Sequence, residues 1–530
     1  MGSVRRGAVV AGVVLVLACT GFAPSDPAPP AAGAPAAPGD GPAPGDAGPP
    51  ELPRTRVDVP DLAIPRRTIH VPAGGRLQDA LDEATGGNLI TLEPGVTYRG
   101  PFRLRRKDGD GWIVIASAAR DLPPPGRRVA PSDASRMPKL VASSGSVFRT
   151  EPGAHHYRLV GLEIAPADGV ALIALVQFGD DERAVEALPH HLIVDRCYIH
   201  GDATTGGRRG IALNARHAAV VDSHLSDFKE RFADAQAIAG WNGPGPLRIA
   251  GNYLEASGEN VMFGGADPHI PGLVPSDIEI VRNHLAKPLR WKQDAPSFEG
   301  VAWSVKNLFE LKNARRVLID GNLFEYNWPH AQNGFAILFT VRNQDGGAPW
   351  SVVEDVTFTN NLVRHVAAGI NVLGRDDNHP SRQTQRIAIR NNVFVDVGGR
   401  WGHGRLFQLL DGTSGVSIDR NTAFQTGGIL FGGDHAPHTH FVFEHNVVPH
   451  NEHGITGSGT GPGNPTLERY FPGAIVRGNV IAGAPAGAYP PGNVYPASLD
   501  GVGPSATGAD IAALKRALDG LVSRTWEAGR

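Results

Sequence analysis

Between Trp303 and Asn343, charged side chains recur at strand spacing. In Trp303-Ser304-Val305-Lys306-Asn307-Leu308-Phe309-Glu310-Leu311-Lys312, alternation sends Trp303, Val305, Phe309 and Leu311 inward and leaves Lys306, Glu310 and Lys312 on the outer face. The run Phe335–Arg342 adds Thr340 and Arg342 to that face, Gly369–Arg375 adds Asn371 and Arg375, and Glu259–Phe263 offers Asn260. Laid side by side at the roughly 4.8 Å spacing of paired strands, these groups form a polar, net basic stripe suited to a linear anionic polymer. A lysine there becomes a general base once its pKa falls well below about 10.4, which nearby positive charge and desolvation promote. Lys312 is the candidate base, with Lys306 and Arg342 as its cationic neighbours. The plain alternative is a Glu310–Lys312 surface pair with Arg342 over Trp350, and exposed pairs of that kind add little stability.

Other groups carry less chemistry. Asp267 in Gly264-Gly265-Ala266-Asp267-Pro268 and Asp345 in Gln344-Asp345-Gly346-Gly347 read as turn formers beside the stripe. Trp303 falls on the core side. Trp328 and Trp350 lie in loops and are candidate platforms for sugar rings. The 20 histidines show no zinc-protease or zinc-finger spacing. A formal charge of -3 gives no general footprint for nucleic acid.

The elements that must hold this stripe repeat along the chain. The unit is an alternating apolar strand, two polar residues, Asn, then an apolar or aromatic residue, as in Leu247-Arg248-Ile249-Ala250-Gly251-Asn252-Tyr253-Leu254. Copies centre on Asn283, Asn322, Asn361, Asn392, Asn421, Asn446 and Asn479, with weaker ones around Asp195 and Asp222. Their irregular period suits coils of three short strands joined by turns of varying length. Asn tolerates the left-handed conformation of a sharp corner, and its amide can pair with the coils above and below. β-Branched content and frequent Gly and Asn argue against helical repeats. The fold class is all-β, a right-handed parallel β-helix over residues 66–505. A short N-terminal capping helix carries Leu77, Ala80, Leu81 and Ala84, and a C-terminal helical cap occupies 506–530, or lies as a flap on the side, with Ile511, Leu514, Leu518 and Leu521 at helical spacing.

The Asn-x-aromatic coils behind a helical N-cap resemble the pectate-lyase-like superfamily over roughly residues 68–500, and Gly258–Asp377 resembles a group of bacterial β-helix repeat proteins. Within that stretch, Lys312-Asn313 followed by Asn322-Leu323-Phe324 resembles the Lys-Ser…Asn-x-aromatic segment of the chondroitinase B and alginate lyase family. The resemblance implies β-elimination on a uronate-containing polysaccharide, with Lys312 as base and Arg342 on the next coil completing the site. It also implies a Ca2+ site, for which Glu310 and Glu259 are the remaining acids. Asn313 replaces the family's Ser, and the Lys-to-Asn interval differs by about one residue. A second resemblance, of Asp376-Asp377 and Gly402-His403-Gly404 to polygalacturonase elements, implies a hydrolase. The upstream Asn-Thr-Asp element is missing, and adjacent strand residues converge only in a loop. A glycan-binding surface protein without turnover is the third reading.

Residues 1–19 read as an export signal: Arg5 and Arg6 precede an apolar run too short for a comfortable membrane span. It ends in Val16-Leu17-Ala18-Cys19, similar to a bacterial lipobox, which implies lipidation of Cys19 and membrane attachment only through that anchor. Residues 20–65, rich in Pro, Ala, Gly and Asp, read as a disordered tether. With Cys19 lipidated, Cys197 has no disulfide partner and reads as a small buried hydrophobe. The expected protein is an exported monomer that meets an anionic polysaccharide and no nucleic acid.

Overall fold

The computed structural model describes residues 48–500 and 507–521. Cys19, the export signal, the tether up to residue 47 and the last nine residues lie outside the described residues. Each coil contributes one strand to each of three parallel sheets, as a parallel β-helix requires. Sheet A has 14 strands, from Arg67–Val71 to Ile475–Arg477; sheet B has 13, from Thr97–Arg99 to Val480–Ala482; sheet C has 12, from Phe102–Leu104 to Ile455–Gly457. The inward residues of alternating strands stack into one core, in which Phe309, Phe324, Phe339 and Phe358 lie ring to ring at 5.6–6.4 Å.

The corner between sheets A and B is held by an asparagine ladder. Asn322 donates its side-chain amide to Ile280 O at 2.8 Å and to Asn361 Oδ1 at 3.0 Å. Its own Oδ1 accepts from the backbone N–H of Asn283 at 2.9 Å and from the Asn283 amide at 3.0 Å. The same pattern links Asn252 through Asn479 to Asn493. Ser223 and Cys197 continue the column below: Ser223 N–H donates to Asn252 Oδ1 at 2.8 Å and Cys197 N–H to Ser223 Oγ at 3.0 Å. Cys197 is therefore buried as expected, and burial pushes its thiol up to about 12. One expectation is corrected. The left-handed residue of the corner precedes the Asn, as Arg282 (φ 56°), Gly321 (φ 65°), Asn360 (φ 55°) and Arg420 (φ 52°) show. The Asn is selected for its amide.

The helix Leu77–Glu83 buries Leu77, Ala80 and Leu81 in the main core. At the other end a helix absent from the sequence reading, Asn464–Tyr470, delivers Tyr470 and Phe471 into that core. Gly432 and Gly457 make the room: a Cβ on Gly432 would stand 2.3 Å from Phe471, and one on Gly457 2.5 Å from Tyr470. Of the two placements open to the last helix, Ile511–Ala517, a terminal cap or a flap on the side, it takes the second. Leu514 and Leu518 pack on Leu323, Leu362 and Val393, outward residues of sheet B, so the helix lies on the solenoid's flank. Arg282 satisfies its last turn, donating to Ala517 O at 2.9 Å and Asp519 O at 2.7 Å.

Residues 48–60, assigned to the tether by composition, form an ordered strap along the outer face of sheet A. The Glu51 N–H donates to Asp355 Oδ1 at 3.0 Å and the Arg54 N–H to Asp277 Oδ1 at 2.9 Å. Arg56 pairs with Glu279 at 3.1 Å, Val57 is buried against Ile193, Ala219 and Val221, and Pro60 O accepts from Arg158. Composition missed this because sheet-borne carboxylates satisfy the strap's backbone, and one buried valine anchors it.

The ladder generates a stability prediction. Asn322→Ala removes the acceptor of the buried Asn283 N–H and amide and the donor to Ile280 O, each lost partner costing roughly 1–3 kcal/mol, while Asn361 Oδ1 keeps the backbone N–H at position 322. Urea unfolding is expected to show a loss of about 3 kcal/mol or more. A loss below about 0.5 kcal/mol, within the range of ordinary surface substitutions, would refute the ladder's role.

Candidate functional site

Register on sheet C sets the outer face. Met262 pairs with Glu310, Glu310 with Leu338, Leu338 with Asn371, and Asn371 with Gln408. Glu310 points outward as alternation demands but is only 2% exposed at its side chain. Lys306 and Lys312 flank the three-residue strand Phe309–Leu311, one at each end. Lys306 Nζ lies 2.6 Å from Asp234 Oδ1 and 3.6 Å from Glu259 Oε1, and Lys312 Nζ lies 3.8 Å from Glu310 Oε1.

Lys312 and Arg342 occupy successive coils in contact: the Arg342 N–H donates to Lys312 O at 2.9 Å. Lys312 leans over Gly264 and Gly265, where a Cβ on Gly264 would come within 2.8 Å of Lys312 Cβ. Arg342 does not rest on Trp350. Its guanidinium holds Asp376 at 2.5 Å and also contacts Asp377. Burial pushes the Asp376 carboxyl up, but the N–H groups of Asn378 and Asn343 together with Arg342 hold it below its ordinary value. Asp376 is enclosed, whereas the Asp377 side chain is 55% exposed.

Several expectations are corrected. The stripe is not net basic, because Asp234, Glu259, Glu310, Asp376 and Asp377 stand among Lys306, Lys312 and Arg342 as ion-pair partners. Asn260 does not face outward. It is fully buried at the B–C corner, donating to Leu254 O at 2.7 Å and Ala286 O at 2.8 Å. Its Oδ1 accepts from the buried ammonium of Lys287 at 3.1 Å, which also donates to Ala256 O, Ser257 O and Gly258 O. Trp328 is no platform, being packed with Trp291, Trp303 and Val305. Trp350 is pinned by its indole N–H to Leu273 O at 3.0 Å. Asn371 accepts from Gln408 at 3.1 Å, and Arg375 is exposed at the strand's end. Asp267 holds the later loop and not its own turn, accepting from Gly347 N–H at 2.7 Å and Asp345 N–H at 3.2 Å.

Calcium does not fit the acids as they stand. Glu259 Oε2 accepts from Gln236 at 2.8 Å, and Glu310 accepts from Asn307 at 3.0 Å and Thr340 at 3.4 Å. Ca2+ takes six to eight oxygens at roughly 2.3–2.6 Å and would have to displace these donors and the Lys306 ammonium. Sequence reasoning missed Asp234, Gln236 and Asn307. Gln236 was detectable, since it is in register with Glu259; Asp234 sits in a loop outside the repeat. The hydrolase constellation also fails to assemble. Asp376 and Asp377 follow the strand Ala368–Leu373, whereas His403 precedes Phe407–Leu410, so they stand at opposite edges of sheet C.

Glu259 supplies a pH test. Burial raises its pKa, and Asp234 and Glu310 add to the rise against Lys306. A carboxyl whose folded pKa is raised contributes stability below its unfolded value, near 4.3, and loses it as pH climbs through the folded value. Glu259→Gln is therefore expected to melt increasingly above the wild type as pH goes from 4 to 8. A variant that melts below the wild type at pH 8 would show that Lys306 holds the carboxylate charged.

No family model matches the chain, and no curated protein matches it. Among solved structures, the catalytic unit of a thermostable GH87 alpha-1,3-glucanase from Streptomyces thermodiastaticus aligns at 13% identity and a TM-score of 0.47, over 80% of this chain and 65% of that one. The PL6 family alginate lyase AlyGC aligns at 15% identity and a TM-score of 0.45, over 80% and 53%. A mannuronic acid specific family 6 lyase from human gut microbiota aligns at 12% and 0.44, over 87% and 97%. The chain thus spans less than two thirds of the first two proteins.

Proposed function

We propose that this chain is an exported polysaccharide lyase that takes an anionic, uronate-containing chain along the outer face of sheet C. The observation that carries the reading is the contact of Lys312 and Arg342 on successive coils, joined through Arg342 N–H and Lys312 O at 2.9 Å. This is the arrangement implied by the resemblance to the chondroitinase B and alginate lyase family. In the reaction, Arg342 neutralises the uronate carboxylate, and the amine of Lys312 takes the C5 proton. The electron pair left at C5 forms the C4–C5 double bond, the C4–O4 bond breaks, and O4 leaves with a proton from solvent. Asp377, exposed and paired with Arg342, is the group a substrate carboxylate replaces; Asp376 stays to orient the guanidinium.

Carbohydrate binding without turnover is a second reading, favoured by the ion pairs that Lys306, Lys312 and Arg342 already make. Ultraviolet absorbance of the unsaturated uronate product separates the two when the protein is mixed with alginate, pectate or glycosaminoglycans. A rise in absorbance that Lys312→Ala and Arg342→Ala each reduce by about 100-fold or more, the scale of a positioned proton-transfer group, supports the lyase. Asp377→Asn is expected to lower KM for the polymer by freeing Arg342. Absorbance indifferent to Lys312→Ala overturns the assignment, and retention on the polymer without product selects the binder. New reducing ends without absorbance select a hydrolase.

A further inference from the structure

At the corner where sheet C returns to sheet A, His155-His156 and His190-His191 stand on successive coils, with Arg216-His217 on the next. His156, His191 and His217 all have left-handed backbones (φ 56°, 51° and 48°), which aims their rings along one line. The rings stack coil on coil: His155 on His190 at 4.8 Å, His156 on His191 at 4.4 Å and His191 on His217 at 4.7 Å, within 5° of parallel. Within each dipeptide the two Nδ1 atoms approach head to head, 2.8 Å in the first and 2.7 Å in the second.

Later coils treat this corner differently. They place Asp277 against Arg316, and Asp355 against Arg386, as complementary pairs with oxygen–nitrogen contacts of 2.6–2.9 Å. Among the described residues no carboxylate pairs with these imidazoles in that way, and Asp110 is the acid that acts on His156. Next in the column, His217 Nδ1 is buried with no hydrogen-bond partner, whereas the Nδ1 atoms of His156, His190 and His191 are engaged in the head-to-head contacts.

We infer that His156, His190 and His191 form a binding site for a late first-row divalent metal ion, Zn2+ or Cu2+, separate from the lysine site on sheet C. Their ligand nitrogens lie within 4.8 Å of one another. A tetrahedral zinc with nitrogens about 2.1 Å away holds them about 3.4 Å apart, so the widest pair closes by a little over 1 Å, within reach of a ring rotation. An all-imidazole set suits zinc or copper and excludes the oxygen-seeking Ca2+ and Mg2+. Three protein ligands leave a fourth position for water.

The test uses the untagged full chain, stripped with chelator and titrated with ZnCl2 by calorimetry and with CoCl2 by visible absorption. One Zn2+ per chain is expected, together with the intense bands of a tetrahedral cobalt site. His190→Ala and His191→Ala should each weaken binding by more than the roughly 10–100-fold that outer-sphere changes cost. His435→Ala, at a side chain 91% exposed, should leave it unchanged. If an alanine variant loses its circular-dichroism spectrum, imidazole nitrogen shifts of the wild type replace it: Zn2+ must move those of His156, His190 and His191. No stoichiometric binding, binding retained in both variants, or shifts confined to other histidines would overturn the site.

Discussion

From Asn252 onward each coil turns from sheet A to sheet B inside a dry corner, where the backbone groups must find partners without water. The asparagine amides supply them, each bonded to the coil before and the coil after. This one constraint fixes the register of those coils. Along the ladder the A–B corner keeps one length, so variation there falls on the other two corners; the one long A–B insertion, between Ser117 and Lys139, lies before the ladder begins. The segment between Ala286 and Phe309 is an insertion of this kind, and it carries Lys306 to the edge of sheet C. Chemistry and variability therefore share the same margin.

The outer face of sheet C follows a second rule, charge balance under partial burial. Glu310 is nearly enclosed, and Glu259 wholly so. Enclosed carboxylates cost several kcal/mol each unless paired or protonated. Lys306 and Lys312 are the compensation. A polyanion reaching this face meets cations already engaged, so binding is an exchange of carboxylates, with Asp377 the most accessible to leave.

Much of the architecture was legible in the sequence. The strand–Asn–apolar unit marked the coils, and alternation placed Phe309, Leu311 and Glu310 correctly. The failures were physical. Alternation alone put Asn260 outside, but it stands near the start of its strand, where the B–C corner buries it against Leu254 O, Ala286 O and Lys287. A left-handed residue was expected at the Asn, but the ladder needs a side-chain amide there and gives the turn to its predecessor. Trp328 lies outside the repeat, where nothing local distinguishes a buried indole from an exposed one. Asp234 was invisible for the same reason. The paired histidines were in plain view at 155–156 and 190–191, but their meaning depends on coil stacking, which spacing along the chain does not express.

The strap on sheet A has a consequence for the order of assembly. Its partners lie far downstream: Glu51 reaches a residue 304 positions later, and Arg54 one 223 positions later. A chain emerging from its N-terminus exposes the strap long before the surface that receives it exists. Closing such long loops is entropically slow and rewards nothing until the coils are stacked. The strap is thus made before the coils it docks on and is among the last segments to dock, a latch that registers completion of the coils beneath it. Tension applied upstream of Gly48 would peel it from the Asp355 end, rung by rung, before any coil was strained.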